Sequence, residues 1–61
     1  MTDEVFIHNK TGNFYKLLGY GHDSESIKLV ALYARYYIET DITGPIWVRD
    51  ADEFFDKFSK Y

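Results

Sequence analysis

The chain lacks several features on which small proteins commonly depend. Its 61 residues include no cysteine, which excludes a disulfide bond and a cysteine-ligated metal. Proline occurs once, and no apolar run approaches the roughly 20 residues that a membrane-spanning helix needs. No cationic segment followed by an apolar one is present, so we expect no signal peptide. These absences predict a cytoplasmic protein that does not contact a membrane.

Aromatic residues, in contrast, are abundant. Six tyrosines, five phenylalanines and one tryptophan make up 20% of the sequence. A chain of this length buries only about 60% of the surface that it exposes when unfolded, so large rings are expected to form most of its core. A core this small does not hold all of them, which predicts an exposed aromatic patch. We expect a single domain over residues 1–61, with a short N-terminal tail at residues 1–4.

The charge balance restricts the kinds of partner. The net charge is −3 and the isoelectric point is near 5.1. Non-specific nucleic-acid binding needs clustered lysines and arginines, so a nucleic-acid partner is disfavoured. Metal sites need three or four ligands at recognisable spacings, whereas His8 and His22 are the only histidines. We therefore expect no metal and no other cofactor.

Short apolar runs separated by turn residues predict three β-strands. Strands are predicted at residues 5–8, 14–18 and 46–49, and loops at residues 9–13, 19–26 and 39–45. The first two strands flank a short turn that contains Gly12, a pattern typical of a β-hairpin. Gly19 is a position where the second strand is expected to bend or bulge. Pro45 fits the first residue of the strand that it precedes.

The C-terminal segment carries the signals of a short helix. Asp50 is a candidate N-cap, and Glu53 three residues later completes a pattern resembling a capping box. Phe54, Phe58 and Tyr61 follow at i, i+4 and i+7, which predicts one apolar stripe on that helix.

The segment from Ile27 to Ile38 fits two secondary structures. As a helix it places Ile27, Val30, Ala31 and two further small or apolar side chains on one face. As a strand it places Ala31, Tyr33 and Tyr37 on one face, and Arg35 is the charged residue on that otherwise apolar and aromatic face. The alanines favour helix, and the tyrosines and β-branched residues favour strand. The residue pattern by itself leaves both alternatives open.

Several motifs resemble those of a small bacterial and phage family of unknown function. They are His-x-Lys-x-Gly-x-x-Tyr at residues 8–15, Ser-Glu at residues 24–25, and Trp-Val-Arg at residues 47–49 followed by Phe54. The resemblance spans His8 to about Phe58. It implies a mainly β fold, a small SH3-like barrel of about five short or bent strands with a short C-terminal helix. It also implies that Ile27 to Tyr37 is a strand, and it implies no particular function.

The sequence contains no catalytic constellation. The loop at residues 22–25 holds His, Asp, Ser and Glu, but adjacent loop residues rarely converge as nucleophile, base and orienting group. Gly19-Tyr20-Gly21 lacks the third glycine of a dinucleotide fingerprint. We therefore expect no enzyme activity. The candidate interaction surface consists of the following residues: Tyr20, His22, Glu25, Tyr33, Tyr36, Trp47 and Arg49.

Trp47 and Arg49 leave two interpretations open. Two residues apart on a strand, they share a face, where Arg49 is expected to stack on an aromatic ring or to pair with Asp50, Asp52 or Glu25. The structural interpretation makes Trp47 the core anchor between barrel and helix. The functional one makes both residues part of a binding surface.

Together these observations predict a binding or interaction module whose partner is another protein or a second copy, giving a homo-oligomer. The alternative is a phage-encoded accessory protein that blocks a host factor or sequesters a small nucleotide signal.

Overall fold

The computed structural model describes residues 4–61, whose five strands form one antiparallel sheet in the order β4-β3-β2-β1-β5. The elements are β1 Glu4–His8, β2 Phe14–His22, β3 Leu29–Tyr37, β4 Ile42–Asp50, α1 Ala51–Lys57 and β5 Phe58–Lys60. The expected mainly β fold of five strands with a short C-terminal helix is confirmed. The sheet does not close into the expected barrel, because β4 and β5 are its two edges and do not pair with each other. Of the expected tail, Glu4 begins β1, and residues 1–3 lie outside the described residues.

The predicted hairpin is formed by β1 and β2. The turn is held by backbone hydrogen bonds from His8 N to Asn13 O at 2.9 Å and from Gly12 N to His8 O at 2.8 Å. Gly12 has a φ of 77°, a conformation that glycine adopts without the steric cost of a side chain. The predicted irregularity near Gly19 is also confirmed, since a bulge at Leu18 shifts the register between β2 and β3. β2 continues to His22, so the predicted loop at residues 19–26 begins later than expected.

The ambiguous segment is strand β3, and it lies between β2 and β4. Hydrogen bonds to the strands on both sides satisfy the backbone N–H and C=O groups of β3. A helix would have satisfied these groups with hydrogen bonds inside the segment itself. Its alanines suit this central position, because Ala31 and Ala34 are fully covered on opposite faces of the sheet. Tertiary pairing therefore overrides the helix propensity of these alanines.

β4 is longer than predicted and begins at Ile42, so the expectation of a loop through Pro45 was wrong. Arg35 of β3 faces two residues of β4, Gly44 and Pro45, which form a bulge. Proline cannot donate a ladder hydrogen bond, and it is tolerated at bulges and on edge strands. β4 meets both conditions, which is why the strand continues through a residue that predicts an interruption.

Helix α1 begins as predicted. Asp50 is the N-cap, and its carboxylate accepts a hydrogen bond from Asp52 N at 3.4 Å. The helix ends at Lys57, and Phe58 already belongs to β5. The predicted stripe therefore holds only in part. Phe54 and Phe58 stack with ring centroids 4.4 Å apart, whereas Tyr61 packs edge-on against Phe14 at 5.1 Å.

The core lies between α1 and one face of the sheet, which we call the front face. Its buried side chains are Phe6, Leu17, Ala31, Tyr33, Phe54 and Phe58. Phe54 is fully buried and contacts the rings of Phe6 and Tyr33 at centroid distances of 5.2 and 5.1 Å. Trp47 is 52% exposed, so its prediction as the core anchor was wrong. Phe54 occupies that position, because α1 carries it over the centre of the sheet.

Candidate functional site

A groove on the front face lies beside the core and has a volume of about 480 Å³. We call it the front groove. Its lining residues are His8, Thr11, Tyr15, Tyr33, Arg35, Tyr37, Pro45, Trp47, Arg49 and Phe58. Both arginines of the chain are among them, and no aspartate or glutamate of the described residues is. The groove is thus aromatic and cationic in a chain whose net charge is −3.

Strand register brings these side chains to one face. Tyr33 of β3 lies opposite Trp47 of β4, and Arg35 lies opposite Tyr15 of β2. Side chains directly opposite each other in an antiparallel pair share a face, and residues two apart on a strand do so as well. Tyr37 therefore joins Tyr33 and Arg35 along β3. The groove is built on strands, which hold its side chains in fixed positions.

Arg49 is held firmly by its neighbours. Its Nε donates a hydrogen bond to the Tyr33 hydroxyl at 3.1 Å, and its Nη1 forms an ion pair with Glu53 Oε1 at 2.6 Å. The guanidinium also lies 5.9 Å from the centre of the Phe58 ring. Hydrogen bonding to Tyr33 raises the pKa of Arg49 against the opposing effect of partial burial, and Glu53 adds to the rise. The carboxylate that pairs with Arg49 is therefore that of Glu53, and not that of Asp50, Asp52 or Glu25 as predicted.

Arg35 is held differently, with no carboxylate partner among residues 4–61. Its guanidinium lies 4.5 Å from the centre of the Tyr37 ring and 5.8 Å from that of Tyr15. Within the described part of the chain, its one side-chain hydrogen bond is donated by Nη1 to the Tyr36 carbonyl oxygen at 3.4 Å. Most of its five donors are therefore available to a ligand. Two rings orient the cation without neutralising it.

His8 and Thr11 border the end of the groove near the β1–β2 turn. The Nδ1 atom of His8 shares a hydrogen bond with Thr11 Oγ1 at 3.0 Å. The imidazole packs edge-on against Phe58, with centroids 4.8 Å apart. This places a polar pair at one end of an otherwise aromatic wall.

Comparison with known protein families gives a match over nearly the whole chain. The model of a family described as a protein of unknown function, DUF1653, matches residues 4–60. The chain belongs to the DUF1653 family. The curated proteins and the solved structures each give no match. The expectation that the chain belongs to a family of unknown function is thereby confirmed.

Three of the predicted site residues of this DUF1653 chain lie together in the front groove, namely Tyr33, Trp47 and Arg49.

Tyr36 lies on the opposite face, which we call the back face. There its ring is buried, and its hydroxyl donates a hydrogen bond to Asp41 Oδ1 at 2.8 Å. This hydrogen bond raises the pKa of Tyr36. Lys16 lies 4.4 Å from the ring centre of Tyr36 and 3.8 Å from Asp41. Tyr36 therefore has a structural role.

The remaining predicted residues lie away from the groove. Tyr20 is on the front face beside Phe55 of α1, with ring centroids 6.4 Å apart. His22 ends β2, and Glu25 lies in the exposed β2–β3 connection. In that connection Asp23 Oδ1 accepts a hydrogen bond from Glu25 N at 2.9 Å, which lowers the pKa of Asp23. The polar loop is satisfied locally, as turns containing Asp commonly are.

Sequence reasoning missed Arg35 as a site residue of this DUF1653 chain. The signal was the spacing of Tyr33, Arg35 and Tyr37 at i, i+2 and i+4, which places the three on one face of a strand. It was not decisive, because the helix alternative for this segment had not been excluded.

The described residues bear on two further kinds of site. Residues 4–61 contain no group of three or more His, Asp or Glu side chains placed to hold a metal ion. Within the same residues, no helix has the length and apolar character to cross a membrane.

Proposed function

We propose that this DUF1653 protein is a binding module that recognises an anionic, extended segment of another protein in the front groove. The observation that carries the proposal is the placement of both arginines, with exposed aromatic rings, in one groove of an acidic chain. Arginine and aromatic residues are enriched where proteins bind one another, and they supply most of the energy at such interfaces.

The chemistry of the groove supports an acidic ligand. Arg35 has no carboxylate partner among residues 4–61 and presents its guanidinium between two rings. A guanidinium binds a carboxylate through two parallel hydrogen bonds. Trp47 is half exposed and supplies a large apolar surface beside it. A segment with an acidic side chain next to an apolar or aromatic one matches both features.

Binding without a catalytic step fits the same side chains. The groove contains one hydroxyl–imidazole pair, Thr11 and His8. Among residues 4–61 the imidazole has no carboxylate to orient it, and its ring is packed against Phe58. Nucleophilic catalysis by such a pair relies on a third group that fixes the base.

A library of random peptides selected against the immobilised protein tests the proposal. We expect enriched peptides to carry aspartate or glutamate beside an apolar residue. Calorimetry with a synthetic peptide from this set should show that Arg35→Gln and Trp47→Ala weaken binding by at least about tenfold, or about 1.4 kcal/mol. Tyr36→Phe on the back face is the control and should bind normally. Equal affinity of all four proteins would refute the groove as the site.

A nucleotide is the second candidate ligand, and Arg35 is the observation that favours it. An unneutralised guanidinium suits a phosphate, and the rings beside it suit the face of a base. The groove volume of about 480 Å³ lies in the range of small-ligand sites. Calorimetry against a panel of mononucleotides and dinucleotides tests this candidate, and absence of heat removes it. If the protein is a phage product that blocks a host factor or sequesters a signal, its gene should lie among phage genes.

A further inference from the structure

The two edges of the sheet differ in their protection against pairing with another strand. β5 has three residues, and its exposed Lys60 forms an ion pair with Glu4 at 2.6 Å. Short length and charged side chains are common protection for an edge strand. β4 has nine residues, and its residues 42–48 carry no charged side chain. The β5 edge is thus protected along its whole length, whereas the bulge at Gly44 and Pro45 protects the β4 edge only at its start.

Beyond the bulge, β4 exposes large apolar side chains. The exposed fraction is 65% for Ile46 and 61% for Val48. Both lie on the back face, where Ile46 borders a shallow apolar depression with Leu18 and Leu32. An unpaired row of backbone groups with apolar side chains beside it is a template for a further strand.

We propose that this edge pairs with the same edge of a second copy of the chain. Two five-stranded sheets then form one continuous antiparallel sheet about a two-fold axis. The charge distribution indicates a second copy. Each chain has a net charge of −3, so two copies repel each other wherever their acidic side chains come close. Residues 42–48 carry no charge, so two copies can pair along them without bringing acidic side chains together.

The register of this pairing follows from the sequence of β4. An antiparallel pair with a two-fold axis perpendicular to the sheet places one residue opposite its own copy. With Trp47 at the axis, Ile46 lies opposite the Val48 of the second copy, on the back face and in both halves. Moving the axis to Val48 places Ile46 opposite Asp50, and moving it to Ile46 places Val48 opposite Gly44. Of these three registers, the one centred on Trp47 is the one in which both Ile46 and Val48 lie opposite an apolar side chain.

This association also brings the two front grooves together, because Trp47 lies on the front face of each copy. The association itself does not depend on the binding function proposed above. Ile46 and Val48 lie on the opposite face from the groove, so the two ideas are tested with different variants.

Sedimentation velocity at increasing chain concentration tests the proposal. We expect the wild type to change from monomer to dimer. Ile46→Lys should raise the dissociation constant of the dimer at least about tenfold, because the lysine of each copy would be buried opposite the Val48 of the other copy. Ile27→Lys is the matched control, since it makes the same change at an 80% exposed position in the β2–β3 connection. It should dimerise as the wild type does.

Trp47, the single tryptophan, supplies an independent readout. Its emission should shift to shorter wavelength as the wild type and Ile27→Lys become more concentrated, and should stay constant for Ile46→Lys. A wild type that remains monomeric at millimolar concentration would overturn the proposal, as would an Ile46→Lys dimer of unchanged affinity. Ligand binding by monomeric Ile46→Lys, measured separately, distinguishes failure of this interface from failure of the groove.

Discussion

Replacing Trp47 with alanine should separate ligand binding from folding. A fully buried aromatic residue costs about 3–5 kcal/mol of unfolding free energy when it is replaced by alanine. Trp47 is 52% exposed, so about half of that surface is in water already. We therefore expect Trp47→Ala to cost about 1.5–2.5 kcal/mol. The whole domain is expected to have an unfolding free energy of about 3–9 kcal/mol, so the variant should remain folded.

Phe54→Ala is the matched comparison, because Phe54 is fully buried and contacts rings from β1, β3 and β5. It should cost about 3–5 kcal/mol, which is a third or more of the stability expected for a 61-residue domain. Urea denaturation followed by far-ultraviolet circular dichroism measures both variants without relying on tryptophan. The samples should be dilute, so that association through β4 does not contribute.

The result that would refute this reasoning is a Trp47→Ala variant as unstable as Phe54→Ala. That outcome would make Trp47 the core anchor that its sequence context predicts. A folded Trp47→Ala variant that has lost ligand affinity would instead locate the tryptophan in the binding surface. The same two variants thus test the burial pattern and the proposed site together.

Three further predictions concern the fold. The hydrogen bond to Asp41 raises the pKa of Tyr36 above its usual value near 10. This hydrogen bond therefore stabilises the fold below about pH 10, and its stabilising effect is lost as the pH rises through the pKa that Tyr36 has in the folded state. The stability difference between wild type and Tyr36→Phe should therefore shrink in alkaline solution, and a constant difference would contradict the pairing. Gly12→Ala should cost about 1 kcal/mol in urea denaturation because of its positive φ, whereas Gly19→Ala, whose added Cβ meets nothing within 4 Å, should not destabilise. Asp50→Ala should lower the unfolding free energy by about 1 kcal/mol through loss of the N-cap. Asp50→Asn keeps a capping side chain and should retain most of that stability, so an equal loss in both variants would argue against capping.

The elements predicted from sequence are those defined by local interactions. The β1–β2 turn depends on Gly12 and on residues within a few positions of it. The start of α1 depends on Asp50 and the acidic residues that follow. In both cases the hydrogen-bonding groups are neighbours in the chain, so composition and spacing are sufficient.

The candidate site was predicted only in part, because its residues come together through pairing of distant strands. Tyr33 and Tyr36 are near neighbours in sequence with similar aromatic character, yet one lines the groove and the other packs on the back face. Arg35 joins the groove only once β3 is a strand with β2 and β4 on either side. The choice between helix and strand for that segment therefore decided which residues could be recognised.

The sequence by itself determined a small, aromatic-rich domain with a β-hairpin closed by a glycine turn and an acid-capped terminal helix. These features follow from composition and from hydrogen bonds between residues close in the chain. Only the tertiary structure decided that β3 is central, that β4 continues through Pro45 as an open edge, and that Trp47 is half exposed. The physical reason is that burial and strand pairing depend on which distant segments meet. Phe54 takes the central position in the core and leaves Trp47 beside Arg35 and Arg49 in the front groove.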